Sequence, residues 1–364
     1  MPFAKQEMKK QVLLLGGTGA MGNHLVEILS NGDYEVSVTS RSQRKQKTGV
    51  SYIQGNAHDD MFLDTVLGMR KWDVIVDFMI YNSTEFSNRV ERLLNACGQY
   101  VFLSSSRVYA DSKSPITEDS PRLLDVCKDK KYLLTDEYAL SKAREENVLF
   151  KSKRKNWTII RPYITYSEIR LQLGVLEKDY WLYQALHDRT VVFSKDIASK
   201  TTTLTYGYDV ARGIAALLGK EEPLGEVFHI TVSEHHTWQE IFDTYCRVLE
   251  DELGKKPKVL MLDVNPRVNI EGHDWQVKYD RYYNRVFDNS KIAKFIDVST
   301  FKPTLQGLEE CLREFIHHPF YRIGGYGDFA MYDRITGEWM PLSEICGFKN
   351  RIKYLLRRTI LPLK

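Results

Sequence analysis

Tyr138 and Lys142, in the stretch EYALSK, stand at i and i+4 and share one face of the helix that TDEYALSKAREENVLF predicts. An ammonium beside a phenol favours the phenolate, the form that takes a proton from a hydroxyl. Tyr-x-x-x-Lys alone is common on solvated helix faces, so its meaning depends on what precedes it. Upstream, QYVFL runs into LSSSRVYA and leaves Ser104, Ser105 and Ser106 at a strand end, where a serine could orient a substrate hydroxyl toward Tyr138. Further upstream, QVLLL breaks into GGTGAMG before NHLVEILSNG resumes with helical spacing. Gly16 would permit the turn, Gly19 would let backbone amides approach a pyrophosphate, and Gly22 would let the helix pack closely on the strand.

These residues need a scaffold that brings strand ends and helix starts to one edge. EVSVTS, SYIQGN, DVIVDFMI, QYVFLSSS and WTIIRPYITY alternate with helical stretches, which predicts an α/β fold: a Rossmann-type doubly wound parallel sheet with a smaller C-terminal substrate-binding lobe. The reading places the nucleotide-binding domain at 1–166, with 203–232 returning to it. It places the substrate lobe at 167–202 and 233–318, and a C-terminal extension at 319–364.

At 364 residues, 43% hydrophobic and 27% charged, the composition is that of a soluble globular chain. A net charge of +3 gives no concentrated basic face for nucleic acid. Five cysteines are scattered without metal-ligand spacing, and the pairs His235-His236 and His317-His318 lack further ligands nearby, so no metal is expected and a reducing, cytoplasmic setting is. MPFAKQEMKKQ has no signal-peptide core, and no run approaches the roughly 18 apolar residues of a membrane span, so the whole chain is read as mature structure. The aromatic run Trp275 to Phe287 could stack a nucleobase or cover the second lobe's core.

In order along the chain, the glycine turn, the strand-end serines and Tyr-x-x-x-Lys resemble the extended short-chain dehydrogenase/reductases, the NAD-dependent epimerase/dehydratase family that modifies nucleotide sugars. IIRPYITYS, TLTYGYDVARGIAALL, FDNSKIAKF and FKPTLQGLEECL continue the resemblance over roughly residues 10 to 316. It implies hydride transfer at a sugar carbinol or keto carbon of a nucleoside-diphosphate sugar. Tyr138 would act as acid/base, and Lys142 would lower the tyrosine pKa and bind the nicotinamide ribose. Ser105 is the catalytic serine by its position four residues before the tyrosine of Val108-Tyr109; Ser106 is the reserve and Ser104 a backbone support. Tyr138→Phe and Lys142→Met are each expected to abolish turnover and leave the fold intact. The implied cofactor contacts are Gly16, Thr18, Gly19, Ala20, Met21 and Gly22 in the turn. Beyond the turn they are Ser40, Arg41, Asn56, Ala57, Phe78, Lys142 and Tyr163. A homodimer is the expected assembly.

The departures bear on specificity. The second strand ends in Ser40-Arg41 where many NAD-preferring members carry an acid, and Arg44, Lys45 and Lys47 follow, which favours NADP over NAD. Asn56 replaces the family's aspartate. Ser106-Arg107 replaces the Asp-Glu pair of the sugar 4,6-dehydratases, which leaves an epimerase or a ketoreductase. A reductase of a non-sugar ketone and a non-catalytic NAD(P)-binding protein are the alternatives. In the tail, Phe348, Ile352, Leu355, Leu356 and Ile360 form an apolar stripe among Lys349, Arg351, Lys353, Arg357 and Arg358. This helix could lie on an anionic membrane, pack on a partner, or dock on its own subunit.

Overall fold

The computed structural model describes residues 9–45, 47–269 and 274–359. Seven strands, β1 (Lys10–Leu15), β2 (Tyr34–Ser40), β3 (Val50–Gln54), β4 (Trp72–Asp77), β5 (Cys97–Leu103), β6 (Trp157–Pro162) and β7 (Glu226–Ile230), form one sheet. The order is β7-β6-β5-β4-β1-β2-β3, and every pairing is parallel. The unbroken run Val12 to Leu15 is fully buried, as a strand covered on both faces requires. Side-chain direction alternates along it. Leu13 and Leu15 pack with Ile75, Phe86 and Phe102 on one face. Val12 and Leu14 pack with Leu25, Val38 and Ile214 on the other.

The helices α1 (Gly22–Ser30), α2 (Asp60–Gly68), α3 (Ser83–Ala96) and α4 (Tyr138–Lys151) connect these strands. Asp59 and Asn82 start α2 and α3 by accepting from the amides of Phe62 and Glu85. The strand order reverses between β1 and β4, so the carboxyl ends of these strands open a crevice at the glycine turn.

Two segments read as continuous strands are shorter than their apolar runs suggest. β4 ends at Asp77; the Phe78 amide makes a last bond to the Leu15 carbonyl at 2.9 Å, and the Met79 amide turns back to the Asp77 carboxylate at 2.9 Å, so the chain leaves the ladder there. β6 ends at Pro162, which has no N–H to donate. Ile164–Tyr166 then pairs in parallel with Leu204–Tyr206 instead.

Beyond β6 the chain builds α5 (Lys178–Leu186), then returns to the sheet through α6 (Gly207–Leu217) and the edge strand β7. Val210, Ile214 and Leu217 of α6 join the core beside α1, as do Ile292 and Phe301. The second lobe rests on α5, α7 (Trp238–Leu253) and α8 (Thr304–His317), with Trp181, Trp238 and Tyr245 buried between them. A Thr237/Glu240 capping box opens α7, and Gly254 at φ 69° closes it. In the aromatic run, Tyr279 stacks on Tyr132 at 4.2 Å, and Phe287 packs on Tyr163 and His229. Those rings are therefore occupied in packing.

The tail forms α9 (Gly327–Thr336) and α10 (Phe348–Thr359). Asp333 of α9 anchors it: it accepts from Gln184 and Arg189 of the body, from the Met340 amide and from the Tyr354 hydroxyl. α10 docks through the buried Tyr354, while Phe348, Ile352 and Leu356 face outward. Docking thus uses the face opposite Phe348, Ile352 and Leu356, and Leu355 of the stripe packs partly buried against the same cluster as Tyr354; Ile360 lies outside the described residues.

Candidate functional site

α4 starts where the chemistry is. Glu137 caps it by accepting from the Ala139 amide at 2.9 Å and from the Tyr132 hydroxyl at 3.0 Å, and it also pairs with Arg107. The start is thereby held against the short turn that follows β5. The inner face of α4 then presents Ser141, Lys142, Glu145 and Glu146, all buried.

A cavity of 500 Å³ opens at the carboxyl ends of β4, β5 and β6. Of the residues singled out in the sequence, Met21, Phe78, Ser104, Ser105, Tyr138, Lys142 and Tyr163 are among those that line it. The three serines separate by partner. Ser104 donates to Glu146 at 2.6 Å, and Arg161 grips that carboxylate with two bonds of 2.7 Å each. Ser106 donates to the Arg161 carbonyl at 2.7 Å and is fully buried. Ser105 accepts from the Arg107 amide at 3.2 Å, and its own proton is directed to no group among the described residues.

Below Tyr138 the site carries a buried charge cluster. Lys142, 1% exposed, holds its Nζ 2.9 Å from Glu145 Oε2 and 4.5 Å from the centre of the Phe102 ring. Ser141 donates to the other Glu145 oxygen at 3.0 Å. Asp77 lies nearby, accepting from Tyr100 at 2.8 Å and Tyr81 at 3.0 Å. Burial pushes the Glu145 and Asp77 carboxyls above their ordinary values, and the Lys142 charge pulls both back down. One ammonium therefore serves two buried acids.

The Arg107 guanidinium stands 5.3 Å from the Tyr138 ring centre, and its Nε is buried without a partner among the described residues. Arg170 and Arg281 line the same cavity. Arg281 donates to the Gly174 carbonyl at 2.8 Å, and burial pulls its guanidinium down to about 10.

The glycine turn has the shape a dinucleotide needs. Gly16 sits at φ 68°, a conformation that disfavours any side chain. A Cβ on Gly22 would stand 2.5 Å from the Gly17 carbonyl carbon, so the close approach there is helix on turn. A Cβ on Gly19 would meet no atom within 4 Å, and α1 begins without a side-chain cap or an acid in its first turn. Open space thus faces an uncapped helix start, which suits a pyrophosphate. Thr18 donates its amide to the Gly16 carbonyl at 2.8 Å, and the Ala20 carbonyl packs on Gly207. Ser40 is turned to the Ser42 carbonyl at 2.9 Å, and Arg41 is exposed. Asn56 accepts from the His58 amide, and the Ala57 carbonyl accepts from Arg89. Arg44, Lys45 and Lys47 border a separate open cleft of 820 Å³ against α1, shared with Asn23, His24 and Glu27.

Residues 12–231 match the NAD dependent epimerase/dehydratase family. The chain belongs to that family. Among its relatives, the chloroplast stem-loop binding protein of 41 kDa b of Arabidopsis thaliana is 25% identical over 73% of this chain and 68% of its own length. The UDP-N-acetyl-alpha-D-glucosaminuronate decarboxylase of Bacillus cytotoxicus is 24% identical over 85% of this chain and 98% of its own. The structure of UDP-glucuronic acid 4-epimerase from Bacillus cereus, in complex with UDP-glucuronic acid and NAD, shares the fold at a TM-score of 0.62. It is 19% identical over 84% of this chain and 99% of its own.

Against this family frame, Arg107, Glu145 and Asp77 are the site residues that motif reading did not assign. Arg107 was visible only as a departure from Asp-Glu. Glu145 had a signal, since a helix carrying Lys142 toward a buried face carries the residue at i+3 there as well.

Proposed function

We propose that this chain is a nicotinamide-dependent enzyme that transfers hydride at a sugar carbinol or keto carbon of a nucleoside-diphosphate sugar, as an epimerase or a ketoreductase. The observation that carries this reading is the convergence of Ser105, Tyr138 and Lys142 on one 500 Å³ cavity beside the glycine turn. The turn would hold the pyrophosphate, with Met21, Phe78 and Tyr163 toward the reacting end. When bound there, the cofactor supplies a carbon that accepts or returns hydride. Ser105 donates to the substrate hydroxyl and orients it, and Tyr138 takes or gives the hydroxyl proton. Lys142, on the same cavity wall, and Arg107, 5.3 Å from the Tyr138 ring centre, put positive charge beside the reacting oxygen. The wall arginines Arg107, Arg170 and Arg281 are each paired with a carboxylate, Glu137, Glu177 and Asp280, and Arg170, the most exposed of them, is the one open to an anionic substrate group.

Titration with both nucleotides tests the cofactor. The exposed Arg41, with no acidic partner among the described residues, and the absence of an acid at the end of β2 support NADP, with NAD next. Gly19→Leu should abolish binding of either nucleotide at unchanged melting temperature, because its Cβ points into open space and meets no described protein atom within 4 Å. Arg41→Ala should cut any NADP preference by about 10-fold, the scale of one exposed charge-assisted contact. An unchanged affinity ratio removes Arg41 from the account.

Arg107→Met should lower kcat by about 10-fold to 100-fold, since it removes a cation from beside the phenol and a donor from the cavity. Steady-state kinetics check this; an unchanged kcat with a raised KM would limit Arg107 to substrate binding.

A further inference from the structure

Helix α10 is fixed to the body along one edge. Tyr354 is fully buried, Arg351 reaches the Ile345 carbonyl at 3.1 Å, and Arg358 reaches the Glu338 carbonyl at 3.2 Å while covering Trp339. Successive residues advance about 100° around a helix, which puts the centre of the Phe348, Ile352 and Leu356 stripe roughly 160° from Tyr354. Phe348 is 75% exposed, and Ile352 and Leu356 are 41% exposed each. Single exposed apolar residues are ordinary, but three in register on one ridge are a surface.

The charges around this ridge have one sign. α10 carries Lys349, Arg351, Lys353, Arg357 and Arg358 and no acid. Lys349, Lys353 and Arg357 have no acidic partner among the described residues, and Lys353 and Arg357 border a cleft of 210 Å³ beside the Gly324–Gly327 turn. A second copy docked stripe to stripe would bring the Lys349 and Lys353 of one copy near those of the other, with no acid on either helix to offset them, which like-charge repulsion opposes. An anionic bilayer satisfies both features at once.

We propose that α10 seats this protein on an anionic membrane surface, with Phe348, Ile352 and Leu356 below the headgroups and Lys349, Lys353 and Arg357 among the lipid phosphates. The inference rests on the tail alone and is independent of the catalytic reading. The test is co-sedimentation of the full chain with vesicles of phosphatidylcholine alone and of phosphatidylcholine containing phosphatidylglycerol. The variants are Phe348→Ser/Ile352→Ser and Lys349→Glu/Lys353→Glu, whose positions are exposed and remote from the cavity, and thermal melts verify that each is folded. The wild type is expected to bind the phosphatidylglycerol vesicles, less as salt is added, and each variant to bind at least about 10-fold more weakly. No binding to anionic vesicles, equal binding to neutral ones, or variants that bind as wild type overturns the proposal. A wild-type dimer that Phe348→Ser/Ile352→Ser converts to monomer overturns it as well, because a second copy then covers the stripe.

Discussion

Tyr138→Phe is expected to lower turnover by about 100-fold to 10,000-fold, the range of a positioned acid/base, with no change in melting temperature or nucleotide affinity. The fold should be indifferent because the Tyr138 hydroxyl has no partner among the described residues, so its removal orphans nothing. The ring stays under Arg107 and at the mouth of the cavity. Only the group proposed to exchange a proton with substrate is lost. Turnover near the wild-type level would remove Tyr138 from the mechanism.

Lys142→Met should cost both activity and stability, contrary to the expectation from sequence that the fold stays intact. Lys142 is the cation closest to Glu145, and its charge also acts on Asp77, both fully buried acids. Removing one partner of a buried pair typically costs about 3–5 kcal/mol. Burial already holds the folded Glu145 carboxyl above its ordinary value. Its favourable contribution is therefore present below the unfolded value of about 4.3 and is lost as pH rises through the folded one. The deficit of Lys142→Met should accordingly shrink as pH is lowered. The double variant Lys142→Met/Glu145→Gln should recover much of the stability and none of the turnover. Denaturant melts across pH check both statements, and a stable Lys142→Met variant at neutral pH would show that the pair carries no such weight.

The parts of this site that could be read from sequence are those whose chemistry is local. The glycine turn, the strand-end serines and the i, i+4 pair each lie within one strand-turn-helix unit, so spacing alone places them. The parts that could not be read depend on residues brought together over long separations. Asp77 reaches the Lys142 cluster from β4, some sixty residues away in the chain, and nothing in DVIVDFMI marks it as more than a strand residue. Among the three serines the sequence favoured Ser105 only through its position before Val108-Tyr109, and the physical difference between them comes from Glu146 and the Arg161 carbonyl, which engage Ser104 and Ser106. In the tail the apolar stripe was legible, but the docking edge is set by Asp333 from another helix, so its direction was not.

A binding protein that keeps the fold without turnover would retain the glycine turn and could tolerate any of these substitutions. The measurement that separates it from the proposed enzyme is conversion of the sugar, resolved by chromatography, when nucleotide-loaded protein is mixed with nucleoside-diphosphate sugars, beginning with UDP-glucuronic acid, with the absorbance of reduced nicotinamide followed alongside. The proposed function requires that the wild type convert a sugar in this class, with net change in absorbance for a ketoreductase and none for an epimerase, and that Tyr138→Phe, equally loaded, show no comparable conversion. Wild-type protein that binds nucleotide and sugar yet converts none of them, or a Tyr138→Phe protein that matches the wild type, would contradict it.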